Sequence, residues 1–327
     1  MPSTVCVSPF VRRFLKQVQN TVAQYTLWTK KESFIVAVSG GPDSLCLLDI
    51  LFLLSQKYDF TLHIAHVNYR LRGKDSDLDE ACVRERAGLY GFPITVLHPK
   101  KTSISNLEEK LRDIRFHFFE KLRAKEKATL IALAHHQDDQ AETFLLRLFR
   151  GSGMRGLSAM QPKNNFVIRP LLNTTRADIL QYLKERNVSY RTDASNTDQT
   201  IFRNRVRYEL IPLLEKKYQS NIKKILADTA TLLASDYALL ETLTPLHTHE
   251  SRTFSVQVLL KLPEVLLRQK LRSLLTSSYQ EKFPPKGIID ETLKLLRSTK
   301  SKHQTITASG LKIERKGDTV RLLNFPR

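Results

Sequence analysis

One short glycine-containing stretch has residue types suited to binding an anion, and it reads Ser39-Gly40-Gly41-Pro42-Asp43-Ser44. Because glycines lack side chains, backbone N–H groups here could approach a phosphate closely. The stretch follows the apolar run FIVAVS (34–39) and opens an apolar helical pattern, so a helix N-terminus would lie behind the phosphate. Ser39 and Ser44 could donate hydroxyl hydrogen bonds to phosphate oxygens. This context favours a phosphate-binding loop over an ordinary glycine turn.

The loop contains one acidic residue, Asp43. A carboxylate beside phosphates would repel them unless it holds a Mg²⁺ that the phosphates also ligate. We therefore predict Asp43 as a magnesium ligand. No Gly-Lys-Ser/Thr follows the loop, so it is not a Walker motif.

A second group of chemically capable residues lies in the stretch HHQDDQAETFLLRLFRGSGMRG (135–156). On a helix starting near Asp138, Asp139 and Glu142 are three residues apart and share a face. Their carboxylates could converge and bind an ammonium group or Mg²⁺. The alternative is that Asp138 and Asp139 only complement the dipole of a helix start.

Two adjacent histidines, His135 and His136, precede these acids. On a strand they would point to opposite faces, which disfavours a shared metal and favours a buried, hydrogen-bonded structural imidazole. The three cysteines are widely spaced without a C-x-x-C pair, which argues against a disulfide framework or a zinc site. Cys46 is expected to be a small buried apolar residue.

Apolar runs that alternate with amphipathic segments position these motifs. Strands are predicted at 34–39, 60–67, 94–97 and 129–134, and helices near 43–56, 76–90, 106–124 and 138–150. This alternation predicts an α/β fold, a parallel sheet with helices on both faces. Both motifs then fall at carboxyl ends of strands, where such folds bind ligands.

The remainder of the chain predicts a second, mainly helical domain. Residues 151–172 favour a loop and a short strand, and Thr175 is a candidate N-cap for a helix over 176–186. Helices are predicted from about 206 to 297, followed by strands within 305–323 around a turn at Lys316-Gly317-Asp318. We expect a nucleotide-binding catalytic domain at 1–215 and a basic domain at 216–327.

The charge of the chain points to a polyanionic partner. It has 52 Lys and Arg against 33 Asp and Glu, a net charge of +19, and residues 251–327 alone hold 16 against 6. Such an excess attracts nucleic acid by counterion release, although many lysines simply solvate a surface. We find no apolar run of membrane-spanning length and no signal-peptide pattern, so we expect a cytoplasmic protein without a membrane partner.

The motifs resemble those of known enzymes. S-G-G-P-D-S resembles the pyrophosphatase loop of the PP-loop ATP enzymes, which have a Rossmann-like fold. The string H-H-x-D-D-Q-A-E-T with the later G-S-G-x-R-G is similar to that of lysidine synthases. So are Asn106-x-Glu108-x-x-x-Arg112-x-x-Arg115-Phe116, Asp193-x-Ser195-Asn196-x-Asp198, Arg203-Asn204-x-x-Arg207 and Pro212. Leu111 departs from the usual alanine. The resemblance is strong over 33–215 and weak over 216–327.

The resemblance implies a reaction and its participants. ATP would adenylate the carbon-2 oxygen of the wobble cytidine of a minor tRNA(Ile), and the amine of free L-lysine would then displace AMP. It implies that residues 39–44 and His135 bind ATP, that Asp43 holds Mg²⁺, and that Asp139 and Glu142 engage the lysine. Arg112, Arg115 and Arg207 are candidates for binding AMP phosphate, lysine carboxylate or tRNA backbone. The basic region would hold the tRNA stem. The chain looks short beside relatives with a further carboxyl-terminal domain.

Three other functions remain open. A tRNA thiolase on the same fold would need a reactive cysteine, and none stands in the motifs. A non-catalytic tRNA-binding protein would not need Asp43, Asp139 and Glu142. An amide-forming PP-loop ligase without RNA would not need the positive charge. A homodimer is one assembly that the sequence allows.

Overall fold

The computed structural model describes residues 8–100, 107–191, 201–244, 253–278, 284, 286–299, 303–308 and 311–324. The chain divides into two compact units, residues 1–234 and 235–327. The boundary predicted between residues 215 and 216, which separates a catalytic domain from a basic domain, stays a prediction. In the described part of the chain, no helix combines the length and the apolar character that crossing a bilayer requires.

A mostly parallel sheet forms the centre of the first unit. Its strands are β1 (Ser33–Ala37), β2 (Thr61–Val67), β3 (Ile94–Leu97), β4 (Leu130–Ala132), β5 (Lys163–Asn164) and β6 (Val167–Ile168). Among the described residues the strand order is β3-β2-β1-β4-β6-β5, and only β5 is antiparallel to its neighbour. The predicted parallel α/β fold is confirmed.

Helices cover both faces of this sheet. The helices of the first unit are α1 (Pro9–Tyr25), α2 (Pro42–Tyr58), α3 (Lys74–Tyr90), α4 (Leu107–Lys125), α5 (Gln137–Phe149), α6 (Met154–Leu157), α7 (Arg176–Glu185), α8 (Phe202–Arg205) and α9 (Ile211–Lys217), with a π-helical segment at Val206–Leu210. Helix α10 (Ile222–Leu243) begins in the first unit and ends in the second.

Strand β1 shows why two helical layers are needed. Phe34 and Val36 pack into one core with residues of α1, α2 and α7, whereas Ile35 packs into the opposite core with Phe119 of α4. Alternate residues of a strand face opposite sides, so an entirely apolar strand is stable only when both sides are covered.

Helix α1 is absent from the sequence-based prediction. Its signals are nevertheless local: the Ser8 hydroxyl accepts a hydrogen bond from the Val11 backbone N–H, and Pro9 opens the helix. Val11, Phe14 and Val18 form the buried stripe.

The second unit combines helices with a small antiparallel sheet. Its elements are α11 (Val256–Leu260), α12 (Glu264–Ser278), α13 (Lys286–Arg297), β7 (Thr253–Ser255), β8 (Gln304–Ala308), β9 (Leu311–Lys316) and β10 (Thr319–Asn324). Among described residues the strand order is β7-β10-β9-β8. The predicted turn at 316–318 is confirmed, because Lys316 pairs with Thr319 across a two-residue connection.

Candidate active site

The loop between β1 and α2 is shaped by its own glycine and serine residues. Gly40 has φ +94°, and a Cβ there would lie 3.3 Å from the Asp79 carbonyl oxygen. The Ser44 hydroxyl donates to the Gly41 carbonyl oxygen at 2.9 Å and accepts from the Ser39 N–H at 3.1 Å. Gly41 provides no side-chain cap for α2. The start of α2 is therefore available to an anionic ligand.

A cavity of about 310 Å³ lies beside this loop. One side of it is formed by Ser39, Gly41, Asp43 and Ser44, and the other is largely apolar and includes Val67, Phe116, Phe119 and Leu133. Tyr69, Arg115 and His135 add polar groups. These walls suit a ligand that has a flat ring at one end and anionic groups at the other.

Asp43 uses its two carboxylate oxygens differently. Oδ2 accepts a hydrogen bond at 2.9 Å from Nη1 of Arg176, which is the first residue of α7. Oδ1 is buried, and within the described residues it has no hydrogen-bond partner. This orphaned oxygen fits a Mg²⁺ ligand, since protein sites commonly give Mg²⁺ one or two carboxylates and leave other positions to phosphates and water. No group of three or more His, Cys, Asp or Glu suited to a metal occurs in the described ranges.

His136 connects the loop to the acidic helix. Its Nε2 lies 3.7 Å from Asp43 Oδ1 and 3.4 Å from Asp139 Oδ2, and its ring is 1% exposed. Burial lowers the pKa of His136, but the carboxylates of Asp43, Asp139 and Asp138 outweigh burial and raise that pKa overall. The positively charged imidazolium is therefore favoured where two carboxylates approach each other.

His135 has a different environment and lines the cavity. Its Nδ1 accepts a hydrogen bond from Nε of Arg169 at 3.3 Å. Burial lowers the pKa of His135 to about 3, despite the opposing effect of Asp139. The ring is neutral at physiological pH, so it can contact a ligand without adding charge. The expected hydrogen bond is found at His135, whose ring is half-buried, whereas the buried ring is that of His136.

The acidic helix α5 begins as predicted, with His136 as its N-cap. Asp139 and Glu142 are 9% and 1% exposed and are bound by the same two arginines. Arg203 donates to Glu142 Oε2 at 2.9 Å and to Asp139 Oδ1 at 3.3 Å. Arg207 donates to Glu142 Oε1 and, at 3.1 Å, to Asp139 Oδ1. Two buried carboxylates are thus neutralised by two guanidinium groups.

The opposite charges in this cluster also shift the pKa values of Asp139 and Arg207. Burial raises the pKa of Asp139, but His136, His135 and the two arginines lower it overall. Burial lowers the pKa of Arg207, but Glu142 and Asp139 raise it overall. Both shifts favour the charged forms, the carboxylate of Asp139 and the guanidinium of Arg207.

The predicted arginines occupy three environments. Arg115 lines the cavity, and Arg207 binds the acids. Arg112 is not among the residues lining the cavity, and its guanidinium lies 5.6 Å from the centre of the Phe116 ring. The motif residues Asn106, Asp193, Ser195, Asn196 and Asp198 fall outside the described residues.

Two arginines of the site are missing from the sequence-based set of catalytic residues. Arg203 stands four residues before Arg207, a spacing that places both on one helical face and could have indicated a shared role. Arg176 gives no such signal, because its partner Asp43 is 133 residues away.

Comparison with known proteins agrees with this geometry. The model of the PP-loop domain family matches residues 9–214. The chain is 42% identical over 236 residues to the tRNA(Ile)-lysidine synthase of Geobacter sulfurreducens, covering 70% of this chain and 50% of that protein. It is 35% identical over 284 residues to the tRNA(Ile)-lysidine synthase of Bacillus subtilis, covering 81% and 60%. The chain thus spans about half the length of the curated relatives it matches.

A solved structure shares the fold. The U34-tRNA thiolase NcsA from Methanococcus maripaludis superimposes with a TM-score of 0.57 at 17% identity, covering 69% of this chain and 79% of the thiolase. At that identity the similarity concerns the fold alone. The family match, by contrast, covers most of the first unit and includes both the glycine loop and the acidic helix, so the chain belongs to the PP-loop domain family.

Proposed function

We propose that this chain is a tRNA(Ile)-lysidine synthase, a ligase that joins L-lysine to carbon 2 of the wobble cytidine of a minor isoleucine tRNA at the expense of ATP. The observation that carries the proposal is the position of His136, within 4 Å of both Asp43 and Asp139. This position supports a single centre in which the loop would bind phosphate and the acids would bind an amine. The curated relatives carry this enzyme name.

The first step would activate the base. The carbon-2 oxygen of cytidine attacks the α-phosphorus of ATP, and the bond to pyrophosphate breaks. The loop at 39–44 would bind the phosphates through backbone N–H groups and serine hydroxyls, and the apolar wall with Phe116 and Phe119 would hold the adenine. Asp43 and the phosphates would share a Mg²⁺, which would neutralise charge on the leaving pyrophosphate.

The second step would use the acid pair. The lysine ε-amine attacks carbon 2, the bond from that carbon to the adenylated oxygen breaks, and AMP leaves. Asp139 and Glu142 would bind the ammonium form, and one carboxylate would accept the proton released as nitrogen becomes a nucleophile. Because Arg203 and Arg207 bind both carboxylates, lysine would have to displace part of this hydrogen bonding.

The basic second unit supports tRNA as the partner. A cavity of about 610 Å³ there is lined by Arg268, Lys286, Asp290, Leu293, Lys294 and Arg297. Glu264 pairs with Arg268 and Arg297, and Asp290 pairs with Arg268. The four basic side chains of the cavity still outnumber these two acids. Such a surface fits phosphate contacts that position an RNA stem without reading bases. A homodimer stays a prediction.

Sulfur transfer on the same fold is the second candidate, and the cysteines of the described residues oppose it. Burial raises the pKa of the Cys46 thiol well above its ordinary value, and burial also raises the pKa of Cys82. Catalytic cysteines need the opposite shift, since the thiolate is the nucleophile.

A single assay tests the proposal. The protein is incubated with ATP, Mg²⁺, labelled lysine and total tRNA, and the RNA is then exposed to mild alkali. We expect alkali-stable label that depends on ATP, because a base modification survives conditions that cleave an aminoacyl ester. Label that is lost in alkali, or that appears without ATP, would exclude lysidine formation.

A further inference from the structure

Two exposed phenylalanines pack against each other in the first unit. Phe149 ends α5 and Phe202 begins α8, with 57% and 40% of their surfaces exposed. Their ring centres are 5.8 Å apart and the rings are inclined by 61°. Leu148 and Ile201 beside them are also exposed, at 47% and 40%. Large apolar groups gathered at a surface commonly mark a binding site.

This aromatic pair lies close to the acid pair along both helices. Phe149 follows Glu142 by seven residues, so the two share one face of α5 and are about 10 Å apart along its axis. Phe202 directly precedes Arg203, whose guanidinium group binds Glu142. A ligand resting on the phenylalanines would therefore extend towards the acids.

Basic residues predominate near the aromatic pair in the sequence. The guanidinium carbon of Arg205 lies 5.3 Å from the centre of the Phe202 ring, and the exposed Arg150 follows Phe149. Residues 143–177 contain six Lys or Arg and no Asp or Glu, and residues 199–208 contain three Arg and no acid. Exposed rings interleaved with arginines complement a single-stranded nucleic acid, whose bases stack and whose phosphates need cations.

We propose that Phe149 and Phe202, with Arg205 and Arg150, form a stacking platform for an unpaired nucleotide of an RNA loop that neighbours the nucleotide being modified. The inference rests on the proposed function, since the base to be modified must leave the loop stack to reach the cavity. The platform would bind the adjoining base, compensate for its lost stacking and orient the chain of the RNA.

The test measures RNA binding without relying on lysine transfer. The affinity of an anticodon stem-loop of tRNA(Ile) is determined by fluorescence anisotropy for Phe149→Leu and Phe202→Leu. Leucine keeps an apolar side chain and removes the ring, so each variant should bind the RNA about tenfold more weakly. Phe149→Tyr and Phe202→Tyr should restore affinity to within about twofold. The KM for ATP and the thermal midpoint should stay unchanged, as they should for Leu89→Ala, a control at an exposed residue of α3.

RNA lacking a base identifies the stacked nucleotide. Stem-loops with an abasic site at each loop position are bound to the wild type and the leucine variants. At one loop position the abasic RNA should bind the wild type and a leucine variant with equal affinity. Removing the base and removing the ring abolish the same stacking contact, so the second change should cost nothing further. Independent losses at every position would overturn the platform.

Other outcomes separate this inference from the proposed function. If the wild type incorporates lysine and the leucine variants bind the RNA normally, the platform is wrong and the enzyme assignment stands. If RNA affinity depends on the rings but no lysine is incorporated, the platform stands without that activity. If the leucine variants bind the RNA normally but change the mass of the protein measured by sedimentation, the aromatic surface is a contact between protein chains and the platform is wrong.

Discussion

The Nε2 atom of His136 lies 3.7 Å from the Oδ1 atom of Asp43, and within the described residues both atoms are buried without hydrogen-bond partners. Buried polar atoms are normally satisfied, so an unsatisfied pair is expected where a ligand supplies the missing interactions. A Mg²⁺ and a phosphate would do so here. This relationship makes Asp43 the most informative position of the loop to substitute.

Asp43→Asn should reduce ATP–pyrophosphate exchange in the presence of tRNA by at least about 100-fold, because an amide cannot replace a carboxylate as a charged Mg²⁺ ligand. Binding of tRNA should be retained, as measured by filter retention. The matched control is Asp59→Asn, at the carboxyl end of α2 away from the loop. Normal exchange by Asp43→Asn would remove the proposed metal role.

Glu142→Gln should impair lysine use more than adenylation, since the amide keeps the shape of the side chain and loses its charge. We expect the KM for lysine to rise at least about tenfold, whereas pyrophosphate exchange falls by less, consistent with loss of about 1.5–3 kcal/mol from one charged hydrogen bond. Steady-state kinetics with labelled lysine measure the first quantity. Equal losses in both reactions would rule out amine binding by Glu142.

Gly40→Ala should disturb the loop. A side chain is strained at φ +94°, and the new Cβ would lie 3.3 Å from the Asp79 carbonyl oxygen. We expect a loss of about 1–3 kcal/mol in the free energy of unfolding and a raised KM for ATP. Gly88→Ala is the control, because Gly88 is helical and has open space around its Cβ position, so alanine should stabilise the protein by about 0.5–1 kcal/mol. Urea unfolding of both variants checks the contrast, and an unaffected Gly40→Ala would contradict it.

Asp138 should make stability depend on pH. Its Oδ1 accepts from the Arg176 backbone N–H at 3.1 Å, and its Oδ2 lies 3.0 Å from Lys223 Nζ. Burial raises the pKa of Asp138, but these contacts lower it overall. A lowered carboxyl pKa stabilises the fold above the ordinary value, and this contribution is lost as the pH falls through the folded-state pKa.

Asp138→Asn should therefore lower the free energy of unfolding by about 1–3 kcal/mol at pH 7, and the difference from wild type should vanish as the pH falls through the lowered folded-state pKa of Asp138. Urea unfolding across that range gives the comparison, with the exposed Asp228→Asn as control. A difference that persists unchanged in acid would show that the charge of Asp138 is not responsible.

The basic region should contribute to RNA affinity through charge alone. Combined reversal of Lys261, Lys286 and Lys294 to Glu should weaken tRNA binding and flatten the plot of log affinity against log salt by up to about 3 in slope. The same number of reversals at Lys30, Lys31 and Lys57 is the control. If the two triple variants behave alike, the RNA-binding surface lies elsewhere.

The predicted elements show where local reasoning succeeds. Strands β1 to β4, the helices between them and the hairpin at 316–318 follow from hydrophobic periodicity and turn residues, because each depends on neighbours along the chain. The three-residue spacing that places Asp139 and Glu142 on one face of a helix is also a local feature of the sequence. The signals of helix α1 are equally local, since Ser8, Pro9 and its apolar stripe lie close together in the sequence.

The amino-acid sequence by itself determined the parallel fold, the glycine loop and the shared face of the two acids. Only the tertiary structure decided that Arg176 binds Asp43, that Arg203 and Arg207 neutralise the acid pair, and that His136 lies between loop and acids. The physical reason is separation along the chain: 133 residues divide Arg176 from Asp43, and 61 divide Arg203 from Glu142. Periodicity reports which face of an element is buried, whereas charge pairing across elements depends on how the sheet brings their ends together.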